Sequence, residues 1–265
     1  MREKYKKLTG ILSGCGRLAV AFSSGVDSAF LLFAAREALG ENVTAFTASA
    51  PVFPERERRE SAEFCERYGI KRIEVFPELL SLGAFKNNPP DRCYHCKKLL
   101  MGAIKKAAAA EGFSLVAEGS NADDAGDWRP GMRAVRELGV ISPLLEAGLT
   151  KDEIRELSRG FSLPTWDKPS LACLASRFAY GDPITEERLS AVESAEELLF
   201  SLGLKQLRVR VHGDAARIET EKKDMKKILD NKDLISERLH ALGFKFVSLD
   251  LDGFRSGSMN RVFRQ

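Results

Sequence analysis

Short apolar runs alternate with helical patterns through the first two-thirds of the 265-residue chain. The apolar runs that we predict to be strands lie at residues 17–22, 42–50, 71–76, 113–120 and 139–146. The stretches with helical periodicity lie at residues 26–40, 54–69, 97–111 and 150–160. Strand–helix alternation is typical of a parallel sheet with helices on both faces. We therefore predict an α/β fold with a Rossmann-like parallel sheet.

The pattern changes near residues 162–183, a stretch with three prolines and weak periodicity. A long helical pattern at about 184–202 follows it, and further strand runs lie at residues 207–213, 215–219 and 244–251. This pattern predicts a second, smaller α+β domain. The predicted limits are residues 1–165 for the first domain, 166–183 for a linker or active-site loop that carries Cys173, and 184–265 for the C-terminal domain.

The composition argues against several classes of protein. With 44% hydrophobic and 30% charged residues, the chain can bury a core, and global disorder is not expected. Its net charge is only +3 and its charges are closely mixed, so nucleic-acid binding is not predicted. The apolar runs are too short for a signal peptide or a membrane span. We therefore expect a cytoplasmic location, no membrane partner and reduced thiols.

The sequence AVAFSSGVDSAFLL, residues 19–32, places small and polar residues between a strand and a helix. Small residues let the backbone turn tightly and point successive N–H groups at an anion, and the helix N-terminus adds partial positive charge. The hydroxyls of Ser23, Ser24 and Ser28 are further donors. No Lys-Ser or Lys-Thr ends the turn, so it is not a Walker A loop. The turn predicts phosphate binding, and the alternative is an ordinary turn with a Ser/Asp helix cap.

A second loop, EGSNADDAGDWRPG at residues 118–131, follows the fourth predicted strand. Loops at the carboxyl ends of parallel strands line one crevice, so we expect this loop and the first to face the same ligand. Asp123, Asp124 and Asp127 offer the oxygen ligands that Mg²⁺ prefers, and Mg²⁺ would offset phosphate charge. The alternative is a solvated turn rich in Asp, Asn and Gly.

The sequence NNPPDRCYHCKKLL, residues 87–100, contains a Cys-x-x-Cys pair, Cys93 and Cys96, in a chain with five cysteines. Two thiolates at this spacing can be a redox couple, half of a metal site or a coincidence of packing. A structural disulfide is not expected among reduced thiols. His95 lies between the two cysteines and is a conceivable further ligand.

Several stretches together resemble known enzymes. The turn at residues 23–28 resembles the SGGxDS loop, or PP-loop, of the ATP pyrophosphatases, with Ser24 where that family usually has a glycine. From about residue 17 onward the chain resembles the LarE family, the ATP-dependent sulfur-inserting enzymes that make the nickel-pincer nucleotide of lactate racemase. The other stretches that carry this resemblance are NNPPDRCYHCK, EGSNADDAGDWRPG, SPLLEAGLTKDEIR, LPTWDKPSLACLASRFAYGDPIT, LRVRVHGDAARIE and DLDGFRSGSMN. It implies an adenine nucleotide alpha hydrolase-like fold for the PP-loop domain.

The resemblance implies a two-step reaction on a pyridinium-3,5-dicarboxylate mononucleotide. ATP activates a carboxylate of this substrate as an acyl adenylate, because oxide is a poor leaving group and AMP is a good one. Sulfur then replaces AMP to give a thiocarboxylate, with Cys173 supplying or holding the sulfur. Mg²⁺ would offset charge as pyrophosphate leaves. The residues that would bind ATP and its pyrophosphate are Ser23, Ser24, Gly25, Asp27 and Ser28, of which Asp27 and Ser28 are also catalytic candidates.

The resemblance also bears on the cysteines. One version of the family gives up the sulfur of the single cysteine in KPSxACLASR, and the other adds a Cys-x-x-Cys pair and uses three cysteines as ligands of a 4Fe-4S cluster. This chain resembles the second version, with Cys93, Cys96 and Cys173 as the iron–sulfur ligands. The alternatives are a zinc site with His95 as fourth ligand, sacrificial sulfur transfer from Cys173, and a redox pair unrelated to Cys173.

Basic residues of the second domain are candidates for phosphate binding. LRVRVHG places Arg208 and Arg210 on one face of a strand, where two guanidinium groups can meet a phosphate. Arg255 and Ser258 in GFRSGSMN would complete that pocket. With the resemblance, we assign these residues to the phosphate of the substrate nucleotide or of AMP. The alternative for the two strand arginines is a solvated strand face.

Two other functions are kept as alternatives. A tRNA thiolase of the PP-loop class would also adenylate its substrate, but the sequence shows no added RNA-binding region. A non-catalytic nucleotide sensor would bind ATP without releasing pyrophosphate. The resemblance suggests a homo-oligomer, and an external sulfur donor is a possible partner.

Overall fold

The computed structural model describes residues 1–126, 130–169 and 172–255. Contacts divide the chain into two units. The first comprises Met1–Leu79 and Asp91–Leu171, and the second comprises Leu80–Pro90 and the chain from Ala172 onward. The domain limits that we predicted from the sequence at residues 165 and 183 stay a prediction.

Helices and strands alternate along the described part of the chain. The helices are α1 Arg2–Ser13, α2 Val26–Leu39, α3 Glu55–Arg67, α4 Gly83–Lys86, α5 Arg92–Ala110, α6 Pro130–Glu137, α7 Pro143–Glu146, α8 Lys151–Gly160, α9 Glu186–Ser201, α10 Met225–Asp230 and α11 Lys232–Ala241. The strands are β1 Leu18–Ala21, β2 Val43–Ala48, β3 Lys71–Val75, β4 Val116–Ala117, β5 Leu207–His212, β6 Ala215–Thr220 and β7 Phe246–Leu249.

The first unit is built on a four-stranded sheet in the order β3–β2–β1–β4. All three pairings in this sheet are parallel, with Leu18 opposite Val43 and Ala19 opposite Val116. The central strand β1 therefore ends beside its two neighbours at the same edge of the sheet. This topology confirms the predicted α/β fold with a Rossmann-like parallel sheet.

Both faces of this sheet are covered by helices. Leu18 and Val20 of β1 pack in one apolar cluster with α1, α2, α3 and α8. Ala19 and Ala21 pack in a second cluster with α5 and α6. Burial on both faces requires an apolar residue at every position of the strand, which is why the sequence LAVA shows no alternation.

The fifth strand predicted at residues 139–146 is wrong except at one position. Ile141 makes a single parallel bridge to Ala117, and its N–H donates to the Val116 carbonyl oxygen over 3.0 Å. Pro143 has no N–H for a strand ladder, and it begins the short helix α7 at a position that favours proline. The predicted fifth strand is therefore reduced to this single bridge at Ile141, beside β4.

The second unit contains a separate three-stranded sheet in the order β5–β6–β7. Strands β5 and β6 are antiparallel, and β6 and β7 are parallel. Helix α9 packs on β5 and buries Leu189, Val192 and Leu199, while α11 packs on β7 and α9. This arrangement confirms the predicted smaller α+β part. Among the described residues, no helix is both long and apolar enough to cross a membrane.

Candidate active site

The turn between β1 and α2 is closed by the hydroxyl of Ser28. The Ser23 N–H donates to Ser28 Oγ over 3.3 Å, and Ser28 Oγ donates to the Gly25 carbonyl oxygen over 3.1 Å. In the described part of the chain, the backbone N–H groups of residues 24–28 have no hydrogen-bond acceptor. Because they lie at the N-terminus of a 14-residue helix, they form a set of donors suited to an anion.

Ser24 is held in the left-handed region of backbone conformation, with φ of +53°. It is buried, and its hydroxyl donates to the Glu57 carbonyl oxygen over 3.2 Å. The Lys168 ammonium donates to the Ser24 carbonyl oxygen at 3.0 Å and to its Oγ at 3.1 Å, and it also pairs with Glu60. A left-handed backbone explains why glycine is the usual residue at this position.

Asp27 lies in the first turn of α2 with its two carboxylate oxygens in different settings. Oδ2 accepts a hydrogen bond from the Lys151 ammonium. Oδ1 is buried and has no hydrogen-bond partner in the described part of the chain. Lys151 begins α8, whose N-cap residue Thr150 forms a capping box with Glu153. A buried acceptor beside the turn can be satisfied by a cation or by a donor of a bound ligand.

The loop after β4 lies directly against this turn. A Cβ atom at Gly119 would lie 3.0 Å from the Ser28 nitrogen and 3.2 Å from its Cα. Only glycine leaves room for so close an approach of two backbones. The two loops therefore lie against each other at Gly119, and a ligand shared by both stays a prediction.

Glu118, the residue before this glycine, is a buried carboxylate with several partners. Its Oε2 lies 3.1 Å from the Lys97 ammonium, and its Oε1 accepts from the Ser120 N–H at 3.0 Å and from Ser142 Oγ at 2.7 Å. Burial by itself would raise the pKa of Glu118, but the Lys97 charge and the two hydrogen bonds outweigh it and lower that pKa. Glu118 thus ties helix α5 to the edge of the sheet as an ionised group.

The acidic residues that we predicted as Mg²⁺ ligands accept backbone hydrogen bonds. Asp123 Oδ2 accepts from the Lys151 N–H over 2.8 Å, at the start of α8. Asp124 is buried, and its Oδ2 accepts from the Asn121 N–H over 2.9 Å. Asp127 lies outside the described residues. In the described ranges, no three His, Cys, Asp or Glu side chains gather closely enough to hold a metal ion.

Cys93 and Cys96 lie on the first turns of α5, which begins at Arg92 rather than at the predicted residue 97. Residues three apart on a helix share a side, so the two thiols face the same way. Cys93 is exposed and Cys96 is partly buried. His95 between them pairs with Asp91, whose Oδ2 lies 3.2 Å from its Nε2. The pair is thus accessible to a ligand from outside the helix.

In the second unit, Cys173 directly precedes the short 3-10 turn Leu174–Arg177 and is partly buried. Arg177 is fully buried and holds this turn. It donates to the carbonyl oxygens of Ala172 and Cys173 at 2.5 and 3.0 Å. Its other nitrogens form a two-pronged pair with Glu196 at 2.9 and 2.8 Å. The position of the Cys173 backbone is therefore set by a buried ion pair.

Arg208 and Arg210 are buried, only 3% and 5% exposed, so the alternative of a solvated strand face is wrong. Arg210 Nε lies 3.0 Å from Glu219 Oε2, and its Nη1 donates to the Ser176 carbonyl oxygen at 2.8 Å. The Arg208 guanidinium lies 5.1 Å from the centre of the Phe254 ring. Burial, and then repulsion from a neighbouring arginine, lower the pKa of Arg208 to about 10.

The two remaining phosphate candidates lie near the end of the described chain. Arg255 is ion-paired with Asp252 on the surface of the second unit. Ser258 lies outside the described residues.

Several residues that the structure brings to these sites were missed by the sequence analysis. Lys168 and Arg177 lie inside the stretch KPSLACLASR, so the motif itself was their signal. Glu118 begins the second loop, and Lys151 lies in the helix predicted at residues 150–160. Glu196 lies in an amphipathic helix and has no signal in the sequence.

Comparison with known proteins covers nearly the whole chain, although no protein-family model matches it. A pyridinium-3,5-bisthiocarboxylic acid mononucleotide synthase from Lactiplantibacillus plantarum is 37% identical over 261 residues, which is 98% of this chain and 95% of the relative. An uncharacterized protein from Synechocystis is 36% identical over 264 residues, 99% and 98% of the two chains. An uncharacterized protein from Methanocaldococcus jannaschii is 28% identical over 256 residues, 97% and 94% of the two chains. With this identity across its length, the chain belongs to the family of the pyridinium-3,5-bisthiocarboxylic acid mononucleotide synthases, the LarE family.

Proposed function

We propose that this enzyme is an ATP-dependent sulfurtransferase that adenylates a carboxylate of pyridinium-3,5-dicarboxylate mononucleotide and converts it to a thiocarboxylate. The product would serve the nickel-pincer cofactor of lactate racemase. The similarity to the pyridinium-3,5-bisthiocarboxylic acid mononucleotide synthase of Lactiplantibacillus plantarum supports this substrate class. The single observation that carries the ATP-dependent step is the turn at residues 24–28, with its row of N–H donors at a helix N-terminus.

The turn would bind the pyrophosphate of ATP and hold it as it leaves. Its N–H groups would donate to the phosphates while the Ser28 hydroxyl holds the turn closed, and the Lys151 ammonium adds positive charge beside Asp27. The buried Asp27 Oδ1 fits Mg²⁺, because it is an oxygen acceptor with no protein donor in the described part of the chain. Asp27 would supply one oxygen ligand, with phosphate oxygens of ATP and water completing the set, and Asp123 and Asp124 stay the predicted further candidates. When bound, Mg²⁺ offsets phosphate charge.

The cysteines would deliver the sulfur. Cys93 and Cys96 fit two ligands of a 4Fe-4S cluster, because both thiols lie on one accessible side of the first turns of α5. Cys173 would be the third ligand, with Arg177 holding its backbone. A cluster with three protein ligands supplies an iron position at which sulfide can be held. Zinc at the pair, and loss of the Cys173 sulfur in each turnover, are the alternatives.

Arg208 and Arg210, with Arg255 and Ser258, would bind the phosphate of the substrate nucleotide or of AMP. The burial of Arg208 supports this, because its charged form is destabilised by desolvation and an anion would reverse that effect. Arg210 is bonded to Glu219 and to the Ser176 carbonyl, so it also positions the turn after Cys173. Arg210→Lys keeps the buried charge and is the variant suited to testing it.

The experiment that tests the function measures pyrophosphate release from ATP and Mg²⁺ with different second substrates. We expect release with the pyridinium dicarboxylate mononucleotide and none with purified transfer RNA or with ATP alone. Mass spectrometry of the product should show sulfur in place of a carboxylate oxygen. Release triggered by transfer RNA would instead select a tRNA thiolase. ATP binding with no release under any condition would select a nucleotide sensor.

A further inference from the structure

The turn at residues 24–28 is supported from within the first unit by Lys168, a residue that has no role in the proposed reaction. Lys168 is largely buried, with its side chain 14% exposed, and its ammonium reaches Ser24 from the far end of the first unit's sequence. It donates to the Ser24 carbonyl oxygen at 3.0 Å and to Ser24 Oγ at 3.1 Å, and it pairs with Glu60 on α3. A lysine that binds a backbone carbonyl and a hydroxyl of the turn acts on the shape of the turn.

The backbone of Lys168 is itself fixed from helix α8. Arg155 donates from Nη1 to the Trp166 carbonyl oxygen at 2.7 Å and from Nη2 to the Lys168 carbonyl oxygen at 2.8 Å. The two ends of the lysine are thus held by different elements, its main chain by α8 and its ammonium by the turn and α3. Lys168 is therefore in a position to brace the turn against the rest of the unit.

The geometry of the Ser24–Gly25 peptide determines how the contact with Lys168 affects the turn. The Ser24 carbonyl and the Gly25 N–H belong to one trans peptide, in which the C=O and N–H bonds point in opposite directions. Fixing the carbonyl oxygen on Lys168 therefore aims the Gly25 N–H away from Lys168. That N–H is one of the donors at residues 24–28 that have no acceptor in the described part of the chain.

We propose that Lys168 is a positioning residue that fixes the orientation of the Ser24–Gly25 peptide, next to the left-handed Ser24, and so aims the Gly25 N–H at the phosphates of ATP. This inference rests on the proposed function, since it assigns the support of the same ATP site. Serine needs such a support more than glycine does, because a Cβ disfavours positive φ and glycine adopts it freely.

The alternative is that Lys168 contacts phosphate directly, and Ser24→Gly separates the two roles. The dissociation constants of ATP and AMP are measured for the wild type and for Lys168→Met, Lys168→Arg, Ser24→Gly and the double variant Lys168→Met/Ser24→Gly. Lys106→Met, an exposed lysine on α5, is the matched control. AMP lacks the two phosphates assigned to the turn, so its affinity reports whether each variant is folded.

We expect Lys168→Met to weaken ATP binding about tenfold, the scale of one charge-assisted hydrogen bond, with AMP affinity unchanged. Lys168→Arg should keep most of the affinity. In the double variant, glycine at position 24 should restore most of the ATP affinity that Lys168→Met loses, because the turn then needs no support from Lys168. In pyrophosphate release, Lys168→Met should show a raised KM for ATP and a nearly unchanged kcat.

Two results would overturn the proposal. Equal losses from Lys168→Met with serine and with glycine at position 24 would mean that Lys168 binds phosphate directly. Unchanged ATP affinity in Lys168→Met would mean that the turn holds its shape without it. A wild-type protein that binds no ATP would instead contradict the proposed function.

Discussion

Ser24 combines a strained backbone conformation with hydrogen bonds of its side chain. Its φ of +53° is a conformation that costs an L-residue with a side chain about 1–2 kcal/mol. Its hydroxyl donates to the Glu57 carbonyl and accepts from Lys168, bonds that glycine cannot make. The serine therefore exchanges a relaxed backbone conformation for two side-chain hydrogen bonds.

This exchange predicts an order of stability among variants of Ser24. Ser24→Ala loses both hydroxyl bonds and keeps the strain, so we expect it to lose about 1–2 kcal/mol of unfolding free energy. Ser24→Gly loses the bonds but also the strain, so it should be about 1 kcal/mol more stable than Ser24→Ala. Urea unfolding of the three proteins checks the order. An alanine variant at least as stable as the glycine variant would contradict the left-handed assignment.

Substitution of Asp27 or Ser28 is the most direct test of the proposed nucleotide site. Asp27→Ala removes the buried acceptor and Ser28→Ala opens the turn, so each should lower pyrophosphate release about 100-fold, equivalent to about 2.7 kcal/mol. The matched control is Asp233→Ala, which also removes an aspartate from the first turn of a helix, α11, and should release pyrophosphate normally. Near-normal release from both turn variants, with folded circular dichroism spectra, would place the ATP site elsewhere.

At the scale of elements, the contact of the loop after β4 with the turn between β1 and α2 depends on the absence of a side chain at Gly119. The backbone of Gly119 approaches Ser28 so closely that a Cβ would meet its nitrogen at 3.0 Å. Residues that hold this loop from other elements include Lys97 on α5 and Ser142 before α7, both through Glu118. The loop therefore cannot retreat without disturbing the ion pair beside it.

We expect Gly119→Ala to displace the turn and to raise the KM for ATP about tenfold or more, with a loss of about 1–3 kcal/mol in stability, the cost of overpacking. The matched control is Gly102→Ala on α5, where an added Cβ meets nothing within 4 Å. That control should be neutral or more stable by up to about 1 kcal/mol, since alanine favours helix. Equal ATP kinetics in the two variants would show that the loops are not in close contact.

The elements also show what a sequence can predict and what it cannot. The strand β1 follows from the unbroken apolar run LAVA, β2 from the mainly apolar run VTAFTA, and α8 from the helical periodicity at residues 150–160. Helix α1 was not predicted, although Tyr5, Leu8 and Leu12 have helical spacing and pack on the first apolar cluster. The early start of α5 has no apolar signal, because its first turns consist of polar residues and cysteines.

The burial of the two arginines of β5 could not be predicted from the sequence. Alternation in LRVRV correctly predicts that Arg208 and Arg210 share a face, because side chains of a strand alternate. Whether that face is covered depends on elements distant in sequence, here α9 through Glu196 and the turn after Cys173 through the Ser176 carbonyl. Burial of charge through such partners is a tertiary property and leaves no periodic signal.

At the scale of the whole molecule, the chain passes between its two units three times, at residues 79–80, 90–91 and 171–172. Cys93 follows the second passage by a few residues, and Cys173 follows the third. The remaining cysteines, Cys15 and Cys65, lie within the first unit, and burial raises the pKa of both thiols. The five cysteines thus divide into two single residues whose thiols have a raised pKa and a set beside the passages of the chain.

This division predicts which cysteines bind iron. After anaerobic reconstitution with iron and sulfide, the wild type should hold the iron of one 4Fe-4S cluster per chain and be coloured. Cys93→Ser, Cys96→Ser and Cys173→Ser should each lose most of that iron and the sulfur-transfer activity, because each removes a thiolate ligand. Cys15→Ser, the matched control, should keep both. Iron and zinc are counted by elemental analysis beside the visible spectrum.

Three outcomes of this experiment select different chemistry. A colourless protein loaded with zinc would replace the cluster by a zinc site, for which His95 is the available fourth ligand. Full iron content and activity in Cys173→Ser would separate Cys173 from the cysteine pair and contradict the three-ligand cluster. Loss of one sulfur in mass from Cys173 after turnover would select the sacrificial route, in which each chain reacts once. Repeated turnover with an intact Cys173 is the result that we expect, because a ligand thiolate holds the cluster and is not consumed.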